Sequence, residues 1–540
     1  MFSCPSLNIL FILVNLWIFA TGSLYYSSSF AEINAELATF CRQDSVKKEV
    51  EAVKAWDRFE TAVSNPKAYE DPFRDVTLNV TYTRPDGETV DFWGFYERDS
   101  TWKIRFMPDT SGTWHYSATF SDGSKGISGS FECESSDLPG LITQHQTNPI
   151  WFGFPGGEPV LVRSFHVGDR FFASNWPASK RNEFLDWAQM QGYNMLSIAS
   201  HYLNRDEKDR GHGWETPDLW DDESRALRPN EYEKMEAILN DLADRRIMVF
   251  PFAGFFGKSS DFPVNQADQE LYVRYTLARL APYWNTLFNV SGPEPLQTPV
   301  RNRNHRGMDW GDIRRLGSLI ASLDPFAHLV SIHNPPGDDP FRNEPWLGYS
   351  TLQGGKGSDW PNLNHYILRN HTGSQPIYAQ EVFWPGNMYH RVEGEDIRKK
   401  AYVLLFSAAT INFADMDGNS STGFSGTMDP EDCHQGWHDR IKQVWDWFET
   451  IPYHRLRPHQ DLVNHGFCLA NVEELEYYVY LPEGGTVDFR VIQWEDQEYE
   501  ATWINGKNTK DVRQGVRTSN GRNLTAPDNE DWILHLTIAD

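Results

Sequence analysis

Hydrophobic positions recur along this chain with two different periods, and the change of period divides it into three blocks. In residues 49–142 the period is two: residues 76–82 alternate polar and apolar side chains and are turned by Arg84-Pro85-Asp86-Gly87. Residues 89–96, 102–107, 114–120 and 128–133 follow in the same manner, with a turn between Pro108 and Gly112. Short alternating strands at this spacing predict a β-sandwich of immunoglobulin-like type.

Beyond about residue 159 the pattern becomes one of apolar runs alternating with segments of helical period. Strands are predicted at 160–165, 194–199, 247–252, 286–291, 329–333, 350–353, 377–380 and 410–414, and helices at 180–191, 231–245, 266–281, 310–323, 397–407 and 431–448. Strands covered on both faces read as unbroken apolar runs, and their helices as amphipathic ones. A series of this size predicts an α/β fold, a (β/α)8 TIM barrel, over residues 150–455. An open doubly wound sheet is the alternative, and it lacks the expected glycine-rich loop after the first strand. Residues 460–540 return to short strands, at 467–470, 477–481, 487–491, 501–504 and 532–538, and predict a small C-terminal antiparallel β domain, a second β-sandwich.

The N-terminus changes the expected location. Residues 7–20 are apolar and run into Ala20-Thr21-Gly22, a small-x-small cleavage pattern, although no Lys or Arg precedes them. The run is shorter than the roughly 20 residues of a bilayer span, so residues 1–22 are expected to be a signal peptide of a secreted, periplasmic or cell-surface protein with no membrane span after its removal. Cys4, Cys41, Cys133, Cys433 and Cys468 are far apart with no CxxC spacing, which gives no zinc or redox motif and allows one or two disulfides without implying them.

With 540 residues and 49 Lys and Arg against 75 Asp and Glu, the formal net charge is −26. That balance excludes a nucleic-acid partner, whose phosphates demand clustered cations. Aromatic residues make up 14% of the chain, including 21 Trp, enough to supply stacking surfaces for sugars as well as cores.

Chemistry in a barrel gathers where the strands end. Those ends carry His166; His201 and Tyr202; Phe252, Phe255 and Phe256; Glu294; His333, Asn334, Asp338 and Asp339; Gln353; Tyr378 and Glu381, followed by Trp384; and Asp415 and Asp417. Glycoside hydrolysis needs one protonated and one ionised carboxyl group on either side of the scissile bond. Glu294 and Glu381, on the fourth and seventh strands, are the natural catalytic pair. His166, His201, Tyr202, His333, Asn334, Gln353, Tyr378, Trp384 and Asp415 are the candidate sugar contacts. The three histidines suit hydrogen bonding better than metal ligation, Asp338 and Asp339 suit a solvated loop, and the phenylalanines suit barrel packing. No metal or other cofactor is expected, and a polysaccharide or oligosaccharide is the expected partner. No HExxH or GxSxG motif supports a peptidase.

Three motif groups carry a family resemblance. Trp56-Asp57-Arg58-Phe59-Glu60, Pro72-Phe73-Arg74-Asp75-Val76, Gly94-Phe95-Tyr96 and Trp102-Lys103-Ile104-Arg105-Phe106-Met107-Pro108 resemble an N-terminal domain of unknown function that precedes bacterial glycosidase barrels. Leu323-Asp324-Pro325 leading to Ser331-Ile332-His333-Asn334-Pro335 resembles the apiosidase-like branch of glycoside hydrolase clan A. Cys468-Leu469-Ala470, Tyr480-Leu481-Pro482-Glu483-Gly484-Gly485 and Asp531-Trp532-Ile533-Leu534-His535-Leu536 are similar to a C-terminal domain of the same proteins named for collagen binding. The resemblance implies a secreted glycosidase of plant or algal polysaccharide, retaining in mechanism, with Glu294 as acid/base and Glu381 as nucleophile. Many clan members place Asn before the acid/base; here Pro293 stands there. The rival expectation is a non-catalytic carbohydrate or matrix binding protein with a degenerate barrel.

Overall fold

A computed structural model describes residues 52–539 apart from 168–170, 199–214, 252–253, 258–261, 293–307, 356, 385–391, 393, 416–428, 491–497, 514, 516, 520 and 521. The expected signal segment lies outside the described residues. No helix among the described residues is long and apolar enough to cross a membrane.

The N-terminal block forms two sheets. Strands β1 (Ala52–Lys54), β3 (Leu78–Thr83), β4 (Thr89–Trp93), β7 (Gly112–Phe120) and β8 (Ile127–Glu134) make one, in the order β1-β8-β7-β3-β4, with β1 parallel to β8 and the rest antiparallel. Strands β2 (Phe59–Ser64), β5 (Phe95–Arg98) and β6 (Thr101–Phe106) make the other, in the order β2-β6-β5. Alternation decides the faces: Leu78, Val80 and Tyr82 are buried while Asn79 is exposed. The single strand expected at 89–96 is two strands in different sheets, cut at Gly94. A Cβ there would lie 2.5 Å from the Lys103 carbonyl oxygen and 2.7 Å from Leu78 Cδ2, so only glycine lets the chain cross between the layers.

Parallel strands and helices follow. Strands β9 (Arg163–Val167), β10 (Met195–Ile198), β11 (Met248–Pro251), β14 (Ser350–Leu352), β15 (Ile377–Phe383) and β16 (Ala409–Phe413) form a six-stranded parallel sheet in the order β11-β10-β9-β16-β15-β14. Strands β12 (Phe288–Asn289) and β13 (Val330–Ser331) form a separate parallel pair. Parallel bridges Val249↔Thr286 and His333↔Thr351 tie that pair to either edge of the larger sheet. The helices are α1 (Ala178–Met190), α2 (Pro229–Asp244), α3 (Gln266–Leu280), α4 (Trp310–Leu323), α5 (Trp360–Leu368), α6 (Glu395–Phe406) and α7 (Gln435–Phe448). Three of their starts follow from side-chain capping: the Asp309 and Asp312 side chains form a reciprocal capping box on α4, and the Asn265 and Asp359 side chains accept from the backbone of α3 and α5. Helix α5 is an element the apolar period did not supply.

The C-terminal block packs β17 (Phe467–Asn471), β18 (Glu476–Leu481), β20 (Trp532–Ile538) and β19 (Tyr499–Asn505) side by side in that order, all antiparallel. Cys133, Cys433 and Cys468 are free thiols, and Cys4 and Cys41 lie outside the described residues.

Both β blocks are fastened to the central helices through buried ions. Arg279 on α3 has no solvent exposure and donates to Glu236 of α2 at 2.5 Å and to Glu97 of β5 at 2.7 Å. Arg105 of β6 donates to the same Glu236 at 2.9 Å and to the Arg279 carbonyl oxygen at 3.0 Å. Burial works to raise the Glu236 pKa, and the two guanidiniums overcome it and hold it down at about 2. On the opposite flank Arg398 of α6 makes a bidentate pair with buried Asp531, at 2.6 and 3.0 Å. Removing one partner of such a cluster strands the others without water. Arg279→Leu is therefore expected to destabilise the protein by about 3–5 kcal/mol in urea unfolding.

His371 donates from Nε2 to the Ser407 carbonyl oxygen at 2.8 Å, and burial pushes its pKa down to about 4. Below the ordinary imidazole value near 6.5 the unfolded chain takes up a proton that the folded chain refuses. Stability should therefore fall by about 2–3 kcal/mol as the pH drops from 7 to 4. His371→Gln keeps a donor for Ser407 and should remove that part of the slope in urea unfolding across the same range.

Candidate active site

The site is assembled where β13, β14 and β15 end. Strand β15 is irregular there: Ala379 pairs with Ile411 and Phe383 with Phe413, so Gln380, Glu381 and Val382 lie opposite the single residue Asn412. Strict alternation would turn Glu381 away from the side taken by Gln380. The bulge re-aims it, as bulges beside functional sites do. Glu381 is 3% exposed, and its carboxylate meets residues from the two preceding strand ends. Gln353 Nε2 donates to its Oε2 at 2.5 Å, and His333 Nε2 stands 3.6 Å from its Oε1. His333 is brought there by the Thr351 bridge that joins β13 to β14.

Beneath this carboxylate lies a layer of polar side chains that satisfy one another. Gln380 Nε2 donates to Ser197 Oγ at 2.9 Å, and Asn412 Nδ2 donates to the Gln380 carbonyl oxygen at 2.7 Å. Ser164 Oγ donates to Asn412 Oδ1 at 3.0 Å and shares a 2.6 Å hydrogen bond with the Tyr378 hydroxyl. These groups give the strand ends fixed positions, because a buried polar atom that left its partner would go unbonded.

The expected sugar contacts separate into distinct groups. His166, His333, Asn334 and Gln353 are buried around these strand ends; His166 Nδ1 lies 3.4 Å from Ser197 Oγ, and Asn334 Nδ2 donates to the Thr351 carbonyl oxygen at 3.2 Å. Glu294, His201 and Tyr202 lie outside the described residues, as do Phe252 and Asp417. The chain before Glu294 is pinned: Ser291 Oγ donates to the Phe256 carbonyl oxygen at 2.6 Å, and Gly254, at φ +66°, approaches so near that a Cβ would lie 2.1 Å from the Asn289 carbonyl oxygen. Phe255 and Phe256 are packing residues, as their apolar cluster indicated.

Three expected contacts require correction. Tyr378 presents no face to a ligand; it is the second residue of β15, its ring packs 4.4 Å from Phe250, and its hydroxyl is held by Ser164. Trp384 is buried against Ala414 with its ring 5.3 Å from that of His166, so it is not displayed on an open wall. Asp415 is committed to the start of α7: it accepts from His434 Nδ1 at 2.6 Å, the His434 backbone at 2.5 Å and His438 Nε2 at 2.8 Å. Burial opposes ionisation of Asp415, and the hydrogen bonds from His438 and His434 outweigh it and lower its pKa. The Asp338–Asp339 pair also divides. Asp338 is half-exposed and paired with Arg369, whereas Asp339 is buried, accepts from Ser350 and the Phe341 backbone, and is raised by that burial.

Gln380, Ser197, Ser164, Asn412, His434 and His438 are contributors that the sequence pattern did not single out. Polar residues inside apolar strand runs were the available signal for the first four, and the i,i+4 histidines for the last two.

Residues 166–412 match the family model of the apiosidase-like catalytic domain, and residues 52–121 match DUF5060, a domain of unknown function. Among solved structures the chain is similar to a candidate glycoside hydrolase of Bacteroides vulgatus, at 17% identity and a TM-score of 0.68 over 91% of this chain and 100% of that one. It is also similar to a family 5 glycoside hydrolase of the same organism, at 14% identity and a TM-score of 0.55 over 74% and 94% of the two chains. A third structure, a glycoside hydrolase, matches at 15% identity and a TM-score of 0.54 over 74% and 98%. No curated protein matches the chain. At these identities the structures share a fold, and the family model supplies the class: residues 166–412 match an apiosidase-like catalytic domain, which supports a glycoside hydrolase, behind a match to DUF5060 at residues 52–121.

Proposed function

We propose that the protein is a secreted retaining glycosidase that cuts glycosidic bonds of a plant or algal polysaccharide, with Glu381 as nucleophile and Glu294 as acid/base. The observation that carries this reading is a buried carboxylate at a strand end, held on one oxygen by Gln353 and flanked on the other by His333. A barrel closed from all eight strands, with residues 150–455 as the catalytic domain, is supported by the two bridges that join β12 and β13 to the larger sheet. The blocks at 49–142 and 460–540 then act as buttresses, which suits their buried ionic fastenings to α2, α3 and α6. Secretion rests on the apolar run at residues 7–20.

In the first step Glu381 Oε1 attacks the anomeric carbon, the glycosidic carbon–oxygen bond breaks, and protonated Glu294 gives its proton to the departing oxygen. In the second, water attacks the same carbon, Glu294 takes the water's proton, and the ester to Glu381 breaks. Gln353 serves as a positioning residue by holding Oε2 and leaving Oε1 for attack. The two carboxyl groups should stand about 5–5.5 Å apart.

The test starts by screening the wild-type protein on plant and algal polysaccharides with product analysis. On the substrate found, Glu381→Gln should lower kcat by a factor on the order of 10⁴ while its unfolding curve stays that of wild type. Glu381→Ala should regain turnover in azide and yield a glycosyl azide. Wild-type-like turnover by Glu381→Gln contradicts the assignment, and saccharide binding by the wild type without any product favours the non-catalytic binding protein. Gln353→Ala should lower kcat by about 10- to 100-fold, the equivalent of one hydrogen bond to a charged group, with KM little changed in steady-state kinetics.

A further inference from the structure

We infer that Asp415, Cys433 and His438 form a binding site for one borderline-soft divalent cation of the Zn²⁺ type, fastening the start of α7 to the end of β16. One carboxylate oxygen, the Cys433 sulfur and one His438 ring nitrogen all lie within 4.8 Å of one another. Tetrahedral zinc with bonds of about 2.0–2.3 Å sets its ligand atoms roughly 3.3–3.8 Å apart, so small side-chain shifts would seat the ion. Sulfur, imidazole nitrogen and carboxylate oxygen are the donors that zinc takes, and three protein ligands leave a fourth position for water.

The surroundings are those of a ligand set rather than of a solvated cluster. His438 Nδ1 lies 2.6 Å from the Tyr193 hydroxyl, a partner that fixes the ring and turns Nε2 toward Asp415, 2.8 Å away. His434 Nδ1 lies 2.6 Å from Asp415 Oδ1 and so orients the carboxylate through its other oxygen. Phe165, Trp187 and Phe413 surround the His438 ring with centroids 4.8 to 5.4 Å away and keep water from it. Binding would expel the Cys433 thiol proton to solvent and shift the His438 proton from Nε2 to Nδ1, where it donates to the Tyr193 oxygen. One proton leaves per ion, so affinity rises with pH. Nothing in this inference depends on Glu294 or Glu381.

The experiment strips the full chain with a chelator and reloads it with Zn²⁺ or Co²⁺. The expected result is one ion per chain by elemental mass spectrometry, a higher Tm with Zn²⁺, and a Co²⁺ spectrum with tetrahedral visible bands and a thiolate-to-cobalt charge-transfer band. Cys433→Ser should abolish that charge-transfer band and weaken binding by tenfold or more, and Asp415→Asn should weaken binding while leaving the thiolate band in whatever cobalt remains bound. A chain that retains no ion after reloading overturns the proposal. So does binding that Cys433→Ser and Asp415→Asn both leave unchanged, since an adventitious surface ion would behave that way. If Cys433→Ser does not fold, the presence or absence of the charge-transfer band in the wild type decides.

Discussion

Polar side chains inside a sheet closed off from water must bond to one another, and the candidate active site rests on that constraint. Ser164, Ser197, Gln380, Asn412 and Tyr378 come from four strands and form one hydrogen-bonded layer. Each partner is buried, so none can leave without stranding another. That layer holds the floor on which Glu381, Gln353 and His333 stand. The bulge in β15 matters for the same reason: it lets one strand send Gln380 into the floor and Glu381 into the site above it.

Outside the sheet the same physics acts on full charges. Arg279, Arg105, Glu236 and Glu97 are all closed off from solvent, and each guanidinium faces a carboxylate. Buried ions contribute little net stability compared with apolar packing, but they punish displacement. Their value here is positional: the N-terminal sheets and the α2–α3 pair meet in one arrangement. Arg398 and Asp531 play the corresponding part for the C-terminal sheet. The helices around the strands that carry the site are thus clamped on two flanks.

Periodicity revealed most of this architecture. Helix α4 begins and ends where its apolar spacing placed it, and all eight parallel strands fall within a few residues of their apolar runs. Gly94 shows where periodicity is blind, since residues 89–96 read as one apolar-rich strand and only the close approach of Lys103 and Leu78 reveals a change of sheet. Tyr378 and Trp384 show the same weakness at the site. Aromatics beside a strand-end glutamate read as sugar platforms, but Tyr378 sits in regular register before the bulge with its ring against Phe250, and Trp384 follows the bulge and packs beside His166, contacts that only the tertiary fold supplies. Asp415 was legible as a strand-end carboxylate and not as the partner of His434 and His438, because those residues arrive from a helix 19 and 23 positions later.

Glu381 is the group proposed to bond to the sugar. The direct measurement is peptide mass spectrometry after incubation with a fluorinated slow-substrate analogue of the cleaved glycoside. One glycosyl adduct is expected, on the peptide that contains Glu381 and attached to that side chain. An adduct on another carboxylate, or turnover of the analogue with inversion and no adduct, would contradict the assignment.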